Sequence, residues 1–264
     1  MTAVGIERPR VTIERSFPPA PQGATTTSHR LRHDRTYLIA LADLPRILGE
    51  LPADTRALEV DGARQLPHSS TYLDTLSLDS FRSITDRRFT IRVRRDPDGT
   101  ELLDVTSSSP SGPTITERIP FDGDLPLSSE SRAFVANTLA RAGIHGVTPG
   151  EPGQLWPALR ATYTRTTFLL PDGDAQLTLD TDVVFRPLHI DPSSSDGRAH
   201  SPNRETVELG AIAVLTASSP SPSAADESLR RAGYTPTAIS KYVTGLILTN
   251  PGLQLDWMND VAAP

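Results

Sequence analysis

The chain has 264 residues, 37% of them hydrophobic, and a formal net charge of −6. That length suits one large β domain or two small ones, and the acidic balance argues against a general nucleic-acid binder. The absence of cysteine excludes disulfides and thiolate metal sites, and no apolar run approaches the roughly 20 residues that span a bilayer.

With no apolar leader segment either, the expectation is a cytoplasmic protein without a membrane span. Residues 1–30 are rich in Pro, Ser, Thr and Gly and read as a flexible tail, with at most a loose strand around Val11-Thr12-Ile13. A single domain is expected over 31–256, followed by a short tail at 257–264. His33 to Ile39 predicts a strand, and Leu41 to Leu51 a short helix with a proline near its start, where a missing N–H costs least.

The stretch from His68 to Arg94 organises the chain. In Arg88-Phe89-Thr90-Ile91-Arg92-Val93-Arg94, successive side chains of a strand point to opposite faces. Phe89, Ile91 and Val93 therefore share a core face, and Arg88, Thr90, Arg92 and Arg94 share the other. A guanidinium row repels itself unless water or an anion compensates it, so this face is either solvated or a polyanion site.

After the turn Asp96-Pro97-Asp98-Gly99, the strand Leu102 to Thr106 puts Asp104 and Thr106 on one face. A further strand follows over Thr114 to Ile119. Ser128 to Ala142 is the clearest helix, with a serine cap, an apolar stripe at Phe134, Val135 and Leu139, and Gly143 as its stop. Ala161 to Leu169 predicts a strand grouping Tyr163, Arg165 and Thr167. Leu177 to Asp182 predicts another, with Asp180 and Asp182 on one polar face. Those aspartates are either oxygen ligands for a hard cation or an exposed polar face. Residues 187–206 read as a loop, and His189 and His200 within it have no metal-ligand spacing. Val207 to Ser218 is the next strand, and Ser223 with Asp226 makes a capping box for a helix that ends at Gly233.

Tyr72-Leu73-Asp74-Thr75, Leu78-Asp79-Ser80-Phe81-Arg82 and Phe89 to Arg94 resemble the opening of a VTC-type (vacuolar transporter chaperone) polyphosphate polymerase domain, in the wider CYTH or triphosphate-tunnel class. Tyr163-Thr164-Arg165-Thr166-Thr167, Thr178 to Asp182, and Ile239-Ser240-Lys241-Tyr242-Val243-Thr244-Gly245 resemble later segments of the family in order. The resemblance implies an α+β fold, an antiparallel β-barrel of the triphosphate-tunnel type with helices packed outside. It also implies a basic tunnel that takes ATP or another triphosphate, or inorganic polyphosphate, and transfers the γ-phosphate to a growing chain.

Carried over position by position, Arg92, Arg94, Arg165 and Lys241 would be catalytic. Arg82, Arg88, Tyr163 and Tyr242 would bind substrate, and Asp104, Asp180 and Asp182 would hold Mn²⁺ or Mg²⁺. Lys241 is the only lysine beside 25 arginines. The chain departs from the pattern at Thr36 and Thr106, which stand where the family has lysines, and at Leu215 and Ala217, aligned with a family glutamate and lysine. The departures leave a second reading, a catalytically degenerate module that binds polyanions. A third is a purely structural barrel, with Ala211, Ala213, Leu215 and Ala217 packed across a closed tunnel.

Overall fold

The computed structural model describes residues 26–83, 88–108, 114–121, 123, 125–145, 147, 155–171, 175–188, 205–237, 240–250 and 252–253, with side chains from 33 onward. The proposed strand at Val11 to Ile13, His189, His200 and the 257–264 tail lie outside the described residues.

Among the described residues, ten strands form one antiparallel sheet: β1 (Thr26–Ala40), β2 (Arg56–Ala57), β3 (Leu66–Asp74), β4 (Arg88–Arg95), β5 (Glu101–Ser108), β6 (Thr114–Pro120), β7 (Trp156–Leu169), β8 (Gln176–Pro187), β9 (Val207–Glu208) and β10 (Ile212–Ser219). The pairing order β7-β3-β4-β5-β6-β1-β10-β8 returns from β8 to β7, so eight strands close into a barrel. The short β2 and β9 extend its edges beside β7 and β8. β1 begins at Thr26, inside the segment that composition assigns to a tail.

Two stretches of the outer wall are covered because their strands present an unbroken apolar phase. Leu73, Phe89, Ile91, Val93, Leu103 and Val105 are buried beneath Val135 and Leu139 of α3 (Ser129–Arg141). Ser128 caps that helix by accepting from the Ser131 amide. On the other wall, Tyr37, Ile39, Leu177, Leu179, Ala213, Leu215 and Ala217 are buried beneath Ile47 of α1 (Leu44–Gly49) and Ala225 and Leu229 of α4 (Ala224–Arg231). Asp226 completes the expected capping box with Ser223. It also accepts from Arg35 Nε at 2.7 Å and from the Tyr37 hydroxyl at 2.7 Å, which ties α4 to β1.

This packing corrects one expectation. Leu215 and Ala217 do not face the tunnel; they lie opposite Leu179 and Ala217's partner Leu177 in the outer core, while Val214 joins the inner cluster. Ala213, Leu215 and Ala217 therefore pack beneath helices and not across the lumen.

Two further helices sit at one end of the barrel. α2 (Asp79–Arg82) follows β3, and α5 (Lys241–Thr249) packs on the inner face of β7 and β8 instead of outside. At Gly245 a Cβ atom would lie 2.4 Å from Leu159 Cδ2 and 2.6 Å from Phe185 Cδ1, so only glycine permits this approach. The outer faces of the same strands at Arg160, Thr162 and Arg186 are exposed, which fixes the apolar cluster around α5 as interior.

Candidate functional site

The alternation of β4 sends Arg92 and Arg94 into the lumen, and β5 and β6 place Asp104 and Arg118 beside them through the register Arg92↔Asp104↔Arg118. Asp104 is fully buried. It accepts from Arg92 Nε at 3.2 Å and Nη2 at 2.9 Å. Arg94 Nε and Arg118 Nε approach the same carboxylate at 3.5 and 3.6 Å. Neither makes a hydrogen bond there, and both nitrogens and Asp104 Oδ1 lack hydrogen-bond partners. Arg94 also bonds Asp96 at 2.5 Å, and His68 Nδ1 lies 3.5 Å from the same oxygen.

Across the lumen a second group forms on β7, β8 and α5. Asp180, also fully buried, accepts from Arg165 Nε at 2.6 Å and Nη2 at 2.8 Å, and Lys241 Nζ reaches it at 2.5 Å. The Arg165 guanidinium carbon and Lys241 Nζ stand 5.0 and 4.9 Å from the Tyr163 ring centroid, which is cation–π range. His68 stacks on that ring with centroids 5.7 Å apart.

The charges report on one another. Burial would raise Asp180, but Lys241 and Arg165 outweigh it and hold its carboxyl far below the usual carboxylate range. Burial would also raise the Tyr163 phenol; Arg165, Lys241 and Arg92 together draw it below its ordinary value. Arg94 is lowered, chiefly because burial strips its water and Asp104 compensates only in part. Burial likewise opposes the charge on Arg92, yet Asp104 keeps it firmly protonated.

The other expected residues fall elsewhere. Arg88 lies on the same β4 face as Arg92, half-buried opposite Ser108. Arg82 is exposed at the end of α2. The Tyr242 hydroxyl donates to Asp74 at 2.5 Å, and its ring stacks on Tyr72 at 5.2 Å, so this tyrosine ties α5 to β3. Asp74 also accepts from the amides of Thr75, Ser80 and Phe81 and thereby folds the turn into α2. Thr36 faces Thr216, and Thr106 faces Thr116, in hydroxyl pairs across neighbouring strands.

Asp182 does not join Asp180. β8 slips register between the partners of Thr162 and Thr164, and Asp182 takes a left-handed φ of 51°. That bulge turns its side chain to solvent, where it accepts from Thr181. Asp104 and Asp180 are each occupied by guanidinium groups. Among the described residues no group of three or more His, Cys, Asp or Glu is placed to hold a metal ion. Of the three expected Mn²⁺ or Mg²⁺ ligands, Asp104 and Asp180 are thus held by arginine and Asp182 is exposed.

Arg118 is the residue that sequence reasoning missed. Its strand reads Thr-Ile-Thr-Glu-Arg-Ile-Pro, in which Glu117 alternates with Arg118, so charge marks both faces. The cue that separates them is Arg141 of α3, which bonds Glu117 at 2.5 Å on the outer wall.

Residues 151–250 match the family model described as the VTC domain. No curated protein matches the chain. Among solved structures, the chain is similar to a candidate adenylate cyclase from Bacillus halodurans at 11% identity, with 81% of this chain and 98% of that one covered and a TM-score of 0.48. It is also similar to a protein from Pyrococcus horikoshii (14% identity, 84% and 99% covered, TM-score 0.43). A third is a candidate adenylyl cyclase from Hippeastrum described as having a dominant triphosphatase activity (14%, 79% and 92%, TM-score 0.40). At those scores the barrel rests on its own strand pairings. No helix of the described residues is long and apolar enough to cross a membrane.

Proposed function

We propose that the lumen binds the phosphate chain of a triphosphate such as ATP, or of inorganic polyphosphate, and that the protein is a binder and not a polymerase. The observation that carries this reading is the charge imbalance around Asp104. Among the described residues, Arg92, Arg94, Arg118, Arg165 and Lys241 line the lumen against Asp96, Asp104 and Asp180. A buried donor without an acceptor is costly, and an entering phosphate would supply acceptors for the Nε atoms of Arg94 and Arg118. Guanidinium forks suit that task because they pair two N–H donors with two phosphate oxygens.

The VTC match over 151–250 covers Arg165, Asp180 and Lys241 and agrees with a phosphate ligand. Transfer of a γ-phosphate relies on positioning and on cations, a metal among them, that neutralise the developing charge. The carboxylates here are bound to arginine and lysine, which favours affinity over turnover.

The test is a melting curve with and without tripolyphosphate, beside an incubation with ATP and Mn²⁺ or Mg²⁺ assayed for polyphosphate and diphosphate. A rise in melting temperature that shrinks as salt is added, with no polymer formed, is the expected result. Sustained polymer formation would overturn the assignment as a binder, and no shift at low ionic strength would overturn the ligand.

A further inference from the structure

His68 stands where the two charged groups of the lumen meet. Its ring is stacked on Tyr163 with the planes 11° from parallel, and Tyr163 carries Arg165 and Lys241 of the Asp180 group over its own ring. Toward β4, His68 Nδ1 lies 3.5 Å from Asp96 Oδ1, the same oxygen that accepts from Arg94 Nη1 at 2.5 Å. Strand register explains the placement: Ser69 pairs with Arg95 and His68 with Tyr163, so Asp96 leaves β4 at the level of His68.

Two atoms of this arrangement are left without partners, His68 Nδ1 and Arg94 Nε, both buried. An unprotonated Nδ1 has no proton to give a carboxylate, whereas an imidazolium carries N–H on both nitrogens and turns the contact into a charge-assisted hydrogen bond. Asp96 is suited to accept it. Burial would raise its carboxyl, but His68 and Arg94 outweigh burial and hold it below its ordinary value, so it stays an anion. Its backbone is fixed in the turn between β4 and β5, where its N–H donates to the Thr100 carbonyl at 2.8 Å. Only its side chain has to choose between Arg94 and His68.

We propose that His68 makes ligand binding proton-linked: once protonated it takes Asp96 from Arg94, frees Arg94 for a phosphate chain and adds one cation to the lumen. This rests on the reading of the lumen as a phosphate site. Both consequences favour an anion, so binding takes up a proton and affinity rises as the pH falls through the range in which histidine ionises, about pH 5–8. At higher pH His68 is neutral, and Asp96 competes with the ligand for Arg94. His68 acts through Asp96 and Arg94 and is therefore a positioning residue. The other ionisable groups around it are Tyr163 and Arg165 of β7, and Lys241 of α5 with its partner Asp180; Arg118 of β6 acts on Asp96. Tyr163 is the group to tell apart from His68. Its phenol is drawn below its ordinary value, and loss of that proton would also weaken anion binding as pH rises.

The experiment is calorimetry with tripolyphosphate at low ionic strength, at about pH 6, 7 and 8, in two buffers of different ionisation heat, so that affinity and proton uptake are both read. Wild type, His68→Gln and Tyr163→Phe are compared, and the shared ligand cancels its own titration. Between about pH 8 and pH 6, wild type should gain about tenfold in affinity relative to His68→Gln. Tyr163→Phe, which keeps the stacked ring, should retain the proton uptake. In wild type, the pH at which the His68 ring titrates by NMR should rise by about one unit when tripolyphosphate is bound, a measurement that needs no variant to fold. Parallel affinity profiles for wild type and His68→Gln, an NMR midpoint that ligand does not move, or uptake lost in Tyr163→Phe and kept in His68→Gln would each overturn the role of His68 while leaving the phosphate site standing. No binding by wild type at any of these pH values would overturn the phosphate reading itself, and the linkage with it.

Discussion

Asp180 and Asp104 are both fully buried, and both face arginine across the same lumen, yet their surroundings differ in one respect. Asp180 is saturated, with a two-pronged Arg165 and Lys241 at hydrogen-bonding distance. Asp104 holds Arg92 firmly but leaves Arg94 and Arg118 within ion-pair range and short of a hydrogen bond. A carboxylate that satisfies its cations is a clamp between strands and α5. One that leaves donors over marks where an outside anion adds most.

Replacing Asp180 with asparagine attacks the clamp and should have the largest effect. It strands Arg165 and Lys241 in a buried setting, at a cost of about 3–5 kcal/mol, which a melting curve would show as a fall of many degrees. Tripolyphosphate should restore part of the loss. A variant that melts like the wild type would show that Asp180 is not the tie between β8 and α5.

Leu215→Glu serves as the outer-wall control. A carboxylate beneath α1 and α4 should cost several kcal/mol, to an extent set by how far the wall relaxes, and should create no polymerase activity. Polymer formation by this variant would place residue 215 in the lumen after all.

Arg118→Ala probes the unsaturated group. It should weaken tripolyphosphate binding by about 1.5–3 kcal/mol, in the range of a hydrogen bond to a charged group, and shift the melting temperature little. An unchanged affinity would remove the distinction between the two carboxylates.

The smallest effect concerns acid. Asp180 is held below its unfolded value, so its pairing contributes stability that is present above about pH 4 and is lost as the pH falls from there. Melting temperatures measured downward from pH 5 should decline, and Asp180→Asn should flatten that decline. An equal slope in both proteins would assign the acid sensitivity to other carboxylates.

How much of this was legible depended on whether one face of a strand differed chemically from the other. β4 alternates apolar and basic residues, so its core face and its lumen face could be told apart without a structure. β10 is apolar or small on both sides, because Val214 fills the interior while Leu215 fills the outer wall, and alignment to a family motif put the wrong side inward. In β8 the spacing of Asp180 and Asp182 promised a shared face, and a bulge at a left-handed residue cancelled it. Arg118 was hidden by register, since its partner Asp104 comes from the neighbouring strand. The interior seat of α5 follows from Gly245, and a glycine in an apolar helix does not by itself say which surface it meets.

The central claim is that the lumen holds a phosphate chain through arginine and lysine without a protein-bound metal. It is tested most directly by titrating the protein with tripolyphosphate in the presence of a chelator and again with Mg²⁺ in excess. The account predicts binding in chelator, and weaker apparent binding with Mg²⁺, because the metal competes with the guanidinium groups for the same oxygens. Binding that appears only when Mg²⁺ is added would contradict it, and Asp104 and Asp180 would then have to release their arginines to hold the ion.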